Sequence, residues 1–169
     1  MKEIRYTPIG TIRTPFASPE GVPIQPAAAT GVVGRVELDP GLADGLKDLE
    51  GFSHVILIYH FHRAKPAGLR VKPFMDTVER GVFATRSPAR PNAIGISVVR
   101  LLGIEKNVLY VENVDIVDGP PLLDVKPYVP RFDGAEDARI GWLEDNVGKL
   151  ETTRDDGRFV AKTESVKSE

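Results

Sequence analysis

The chain has 169 residues, with 22 Lys plus Arg against 24 Asp plus Glu and no cysteine. That length suffices for one domain with its own core. The missing cysteines exclude a disulfide scaffold, a thiolate metal centre and a thiol nucleophile. The net charge of -2 argues against wholesale polyanion binding. No run of about 18 apolar residues offers a membrane span, and the opening MKEIRYTPIG holds no apolar signal-peptide core, so a cytoplasmic protein is expected.

In chain order, short β-branched runs predict strands at Ile4–Arg13, Val32–Leu38, His54–Phe61, Gly81–Ala84, Ile94–Leu102 and Val108–Val117. Leu42–Leu49 reads as a short helix. Gly103–Asn107 is a short link and so predicts an antiparallel pair. Within Val108–Val117, strict alternation sets Val108, Tyr110, Glu112, Val114 and Ile116 on one face and the other five residues opposite. Over Glu136–Val147, Ile140, Leu143 and Val147 follow the helical period and predict a helix. The expected fold is mainly β: a small antiparallel β-barrel with a few peripheral helices, including one C-terminal helix. Residues 1–132 form the barrel domain, and 133–169 form an extension with that helix and a frayed polar tail from Thr163.

Familiar nucleotide and hydrolase signatures are absent: no Gly-x-Gly-x-x-Gly, no Walker loop, no Gly-x-Ser-x-Gly elbow. His54, His60 and His62 share a strand face. They lack the carboxylate or thiol neighbours a zinc site needs, and no metal site is expected. Basic residues crowd the stretch from Arg63 to Arg90. Inside it, GVFATRSPARPNAIG at Gly81–Gly95 places Arg86, Arg90 and Asn92 on a loop stiffened by Pro88 and Pro91. Stiffening lowers the entropy lost on holding long polar side chains for a ligand, and arginine forks suit carboxylate or phosphate. The segment DIVDGPPLLDVKPYVP at Asp115–Pro130 sets Asp124, Lys126 and Tyr128 at spacing two, on one face of an extended chain. A carboxylate, an ammonium and a phenol there suit proton handling. A simple Asp–Lys ion pair on an edge segment fits that spacing equally well. GVPIQPAAATG at Gly21–Gly31 offers small residues that let backbone approach a flat ligand.

Together with IGTIRTPF at Ile9–Phe16 and LEGFSHVILIYHFHRA at Leu49–Ala64, these segments resemble the TsaA-like (YaeB or TrmO) family over roughly Ile4 to Phe132. The resemblance implies an S-adenosylmethionine-dependent methyltransferase acting on N6 of threonylcarbamoyladenosine at tRNA position 37. It implies a homodimeric β-barrel with the cofactor, S-adenosyl-L-methionine, in clefts near the interface. Carried over by motif, the cofactor pocket would use Pro26, Ala27, Ala28, His62, Arg63, Arg86, Leu101, Asp115, Ile116, Val117 and Asp118. Asn92, Asp124, Lys126 and Tyr128 match positions in the family's active-site region, and Arg90 or Asn92 would contact the acceptor base. Asp124 is the expected proton acceptor and Arg86 the expected partner of the cofactor's carboxylate.

This chain departs from the family's pattern in places. Pro120 stands where the family usually has threonine, Ala93 where proline is common, and only 37 residues, net acidic, follow Phe132, where two-domain members carry a further domain. Three function classes therefore stand side by side: a tRNA adenosine methyltransferase, a methyltransferase of the same pocket with a non-tRNA acceptor, and a non-catalytic cofactor-binding module.

Overall fold

The computed structural model describes residues 3–161. Its strands are β1 (Gly10–Arg13), β2 (Val33–Leu38), β3 (His54–His60), β4 (Arg70–Val71), β5 (Arg80–Gly81), β6 (Ile94–Glu105), β7 (Val108–Glu112) and β8 (Pro121–Pro127). Six of them close into an antiparallel barrel in the order β1-β2-β7-β6-β3-β8, and β8 pairs back onto β1. β4 and β5 form a separate two-stranded ribbon. The barrel expectation is met, and the only α-helix among the described residues is the single turn Pro130–Asp133. No helix among the described residues is long and apolar enough to cross a membrane.

Period-two patterning builds the interior. In β3, Val55, Leu57 and Tyr59 point inward while His54, Ile56, Ile58 and His60 form the outer face. They join Ile12, Val36, Val99, Leu109, Val111 and Leu122 in one core. Each such side chain contributes about 1.5–3 kcal/mol when fully buried. Two bulges adjust the walls: one at Leu102 on β6, and one at Leu123 on β8. The second leaves Leu122 facing inward opposite Tyr59 while Asp124 lies opposite Ile58 on the outer face.

Several predicted elements change. β1 is shorter than Ile4–Arg13, and Gly81–Ala84 is one strand residue followed by a 3-10 turn, Val82–Ala84. The helix expected at Leu42–Leu49 is a 3-10 helix at Pro40–Leu46, opened by Asp39, whose carboxylate accepts from the Gly41 N–H at 2.8 Å. β6 continues to Glu105 and turns through two residues, with Lys106 at φ 54°.

The strand predicted to Val117 ends at Glu112, because Asn113 adopts φ 68°. That left-handed residue reverses the alternation. Leu109 and Val111 are buried before it, and Val114 and Ile116 after it. Asparagine tolerates this region better than most residues do. The predicted helix at Glu136–Val147 is also absent. Gly141 at φ 57° interrupts the chain, leaving 3-10 turns at Gly141–Leu143 and Val147–Lys149. Ile140 and Val147, two of the three periodic residues, stay 46% and 45% exposed. The frayed tail expected from Thr163 lies outside the described residues.

The C-terminal stretch instead returns over the barrel. Arg154 bridges Pro23, Val160 bridges Ala64, and Phe159 is buried with Val71, Val82 and Ala89 in a second core.

Candidate active site

Arg86 follows the 3-10 turn Val82–Ala84. Thr85 Oγ1 donates to the Val82 carbonyl at 2.8 Å, and Arg90 Nη2 donates to the Val82 and Thr85 carbonyls at 3.3 and 3.2 Å. Arg90 is thereby spent bracing its own loop. Arg86 Nη1 reaches across and donates to Gln25 Oε1 at 2.7 Å. Gln25 opens the 3-10 turn Pro26–Ala28, which packs against β6. Pro26, Ala27 and Ala28 thus follow directly on the residue that Arg86 contacts.

On the inner side of this corner lies a buried polar chain. The Tyr59 hydroxyl and Ser97 Oγ are 3.1 Å apart, and Ser97 Oγ donates to Asp115 Oδ1 at 2.7 Å. With Asp115 ionised the serine proton goes to it, and the Tyr59 O–H then donates to Ser97. Burial pushes the Asp115 carboxyl up to about 7, against the Ser97 hydrogen bond, its own backbone N–H and the nearby Arg86 charge. Burial also drives the Tyr59 hydroxyl upward, with the Asp115 charge adding to it. Asp115 lies between the buried Val114 and Ile116, and Ser97 belongs to the inward row of β6.

The neighbouring corner is built from the 115–118 segment and the end of β3. Thr14 Oγ1 donates to the Ile116 carbonyl at 2.7 Å, and the Thr14 N–H donates to Asp118 Oδ1 at 2.9 Å. Arg13 Nη1 lies 3.7 Å from Asp118 Oδ2. His62, Arg63, Pro88, Ile116 and Val117 line one small cavity of about 70 Å³. Pro88 of the arginine loop and Ile116 and Val117 of the 115–118 segment therefore border the same cavity. Arg63 Nη1 donates to the Ala17 carbonyl at 2.7 Å. Desolvation, followed by the Arg63 and His60 charges, holds the His62 imidazole below its ordinary value, against Asp118. A larger cleft of about 570 Å³ opens on the Arg86 side, walled by Gln25, Thr85, Pro88, Trp142 and Asp155. Asp155, Pro88 and Phe159 border both spaces.

The remaining candidates lie elsewhere. Lys126 Nζ and Asp124 Oδ2 form an ion pair at 2.7 Å, and the Tyr128 ring meets His54 edge-on with centroids 6.3 Å apart. Spacing two does put them on one face, but that face is the outer wall of β8 and β3, not the Arg86 cleft. Asn92 is exposed just before β6, where the Ala93 carbonyl accepts from the Phe61 N–H at 2.8 Å. Leu101 sits in the barrel wall opposite Val111, packed on the interior core. Sequence reasoning missed Gln25, Tyr59, Ser97 and Asp155. For Tyr59 and Ser97 a signal existed: two polar residues on the inward row of otherwise apolar strands.

The Arg86 guanidinium borders the larger cleft with the Asp115 carboxyl nearby, so charges of both signs stand at this corner, while Ile116, Val117 and Pro88 give apolar surface to the smaller cavity. Fold and site together define a closed antiparallel barrel with a cleft among the loops beside it, lined by charged and apolar residues. Residues 11–134 match the tRNA-methyltransferase O N-terminal domain, and the chain belongs to that family.

A probable S-adenosyl-L-methionine-binding protein of Pyrococcus abyssi is 62% identical over 156 residues, 92% of this chain and 85% of that protein. The tRNA (adenine(37)-N6)-methyltransferase of Escherichia coli is 34% identical, over 85% of this chain and 66% of that enzyme. The crystal structure of TrmO from Pseudomonas aeruginosa superimposes with a TM-score of 0.71 at 41% identity, over 83% of this chain and 63% of that one. The chain thus spans under two thirds of the solved structure's length.

Proposed function

We propose that this protein is an S-adenosylmethionine-dependent methyltransferase acting on N6 of an adenine in tRNA, with threonylcarbamoyladenosine at position 37 the intended acceptor. The carrying observation is the convergence of Arg86, Gln25, Asp115 and Ser97 on one corner. The cofactor supplies an electrophilic methyl on a sulfonium. Arg86 would hold its carboxylate, the Pro26–Ala28 turn would approach it through backbone, and Asp115 would face its positive charge. The acceptor nitrogen forms the new N–C bond as the S–C bond breaks, and the nitrogen then loses a proton. In-line alignment and exclusion of water carry much of that step.

Asp124, on the outer wall, is the proton acceptor in this reading, with Lys126 beside it at 2.7 Å. It reaches a cofactor cleft across a subunit boundary. Ile94 and Ile96, 40% and 52% exposed on β6, adjoin the half-buried Ile56 and Ile58 on β3 and form an apolar outer face. A homodimer through that face would bring Asp124, Tyr128 and Asn92 of one copy towards the rim loops of the other.

The test uses labelled cofactor with bulk tRNA, with and without the threonylcarbamoyl group. Transfer to modified tRNA alone supports the full reading. Transfer to neither, with cofactor still bound in calorimetry, overturns the tRNA reading and leaves a methyltransferase of a non-tRNA acceptor or a binding module. Arg86→Ala should weaken cofactor binding by about 10- to 150-fold, the range of a charge-assisted hydrogen bond of about 1.5–3 kcal/mol. Unchanged affinity would remove Arg86 from the pocket.

A further inference from the structure

The C-terminal stretch does more than cover the barrel. It forms one wall of a cleft of about 860 Å³ whose other wall is the 65–79 segment around β4. Lys65, Arg70, Lys72, Lys149 and Arg158 line it. Three of these cations are fixed by carbonyls or rings. Lys65 Nζ donates to the Arg158 carbonyl at 2.7 Å and lies over the Phe159 ring at 5.5 Å. Lys149 Nζ donates to the Met75 carbonyl at 3.2 Å and to Asn146 Oδ1 at 2.7 Å. Arg158 lies over the Phe74 ring at 5.1 Å and donates to the Lys72 and Pro73 carbonyls at 3.3 and 3.2 Å.

Arg70 and Lys72 flank the buried Val71 and stand exposed on the opposite face of the ribbon. Among the described residues neither forms an ion pair. Two carboxylates also line the cleft. Asp76 is committed to Arg80, which donates to it through Nε and Nη2 at 2.9 and 2.7 Å, and Arg158 is paired with Asp156. Lys65, Arg70, Lys72 and Lys149 are then opposed in the cleft by Glu79 alone.

We infer that this cleft is an RNA-backbone site: the ribbon and the C-terminal stretch together grip phosphates of the tRNA outside the methylated nucleotide. This rests on the reading of the acceptor as RNA and adds where the polymer is held. Lys65, Lys149 and Arg158 are preset and lose little side-chain freedom on meeting phosphates, while Arg70 and Lys72 supply exposed charge outside any ion pair among the described residues. Each neutralised phosphate releases counterions, so binding falls steeply with salt. The same chain is net negative, so a polyanion needs a local cationic track of this kind to bind.

The experiment measures binding of fluorescently labelled bulk tRNA by anisotropy across a salt series. The proteins are the full chain, Arg70→Glu/Lys72→Glu, and the exposed control Lys47→Glu/Lys106→Glu, with calorimetry of S-adenosylmethionine binding on each. The expected result is at least a 10-fold loss of tRNA affinity for the cleft variant. Its log–log salt slope should shallow by about 1.4, the value for two phosphate contacts at single-stranded density. The control should change little, Arg70→Lys/Lys72→Arg should restore binding, and cofactor affinity should hold throughout. Equal loss in the control, no loss in the cleft variant, or a full chain that binds no tRNA would each overturn the inference. Failure of the methyltransferase reading looks different: tRNA is bound through the cleft and no methyl is transferred.

Discussion

Gly95 stands opposite Tyr59 in the β3–β6 pairing, and a methyl placed on it would lie 2.5 Å from Tyr59 Cζ and 2.9 Å from Phe61 Cζ. Ordinary carbon contacts begin near 3.5 Å, so Gly95→Ala must push the Tyr59 ring by about 1 Å. The ring has little room to move. It is 3% exposed and packed edge-on against Phe61 with centroids 5.3 Å apart. Displacement on that scale breaks the 3.1 Å contact between the Tyr59 hydroxyl and Ser97. Overpacking costs about 1–3 kcal/mol, and a stranded buried polar group a further 1–3 kcal/mol or so. The sum, about 2–6 kcal/mol, is a large share of the roughly 5–15 kcal/mol that holds a domain of this kind. Urea unfolding would read it as a lowered midpoint at unchanged slope. A double-mutant cycle with Tyr59→Phe isolates the hydrogen bond, because the two losses overlap and should not add. A loss below about 0.5 kcal/mol, or strict additivity, would refute the close approach and the relay built on it.

The Asp115 carboxyl has its folded value raised to about 7 from 3.8, so the native state binds the proton more tightly than the unfolded chain. Stability from this group is full below the lower value and is lost as pH rises towards the upper one, with a slope of at most about 1.4 kcal/mol per pH unit. Asp115→Asn should flatten that stretch of the stability–pH curve, and parallel curves for the two proteins would exclude the buried carboxyl as its source. Asp124→Asn should lower turnover by about 10²- to 10⁴-fold, the range for a general base, with cofactor affinity intact in calorimetry; full turnover would reassign the base. Ile96→Glu places a charge in the middle of the outer apolar face and should convert a dimer to monomers in sedimentation velocity, while a monomeric parent protein would dispose of the cross-subunit site.

The strands of the barrel were legible because their signal is local. The β-branched run HVILIYH reads as a strand whatever surrounds it; it is apolar on both faces, and the structure turns Val55, Leu57 and Tyr59 inside. Where the reading failed, a single backbone angle decided the outcome. Alternation carried through Val108–Val117 assigns Leu109 and Val111 to one face, Val114 and Ile116 to the other. All four are buried, because Asn113 turns the chain through φ 68°. Hydrophobic pattern does not encode that angle, and asparagine only permits it. The helix expected around Ile140 met all its spacing requirements and was defeated by one left-handed glycine at 141.

The same limitation governs the site. Spacing two correctly placed Asp124, Lys126 and Tyr128 together, but which side of the barrel they occupy depends on the extra residue Leu123 in β8. That bulge puts the candidate base on the outer wall, whereas Asp115, beyond the end of β7, accepts from Ser97. The candidate base on the outer wall and the Arg86 corner thus lie apart within one chain. If both sets serve one reaction, the subunit boundary is part of the active site. Loss of the dimer through Ile96→Glu should then abolish transfer while leaving the intrasubunit Arg86–Gln25 corner able to bind cofactor.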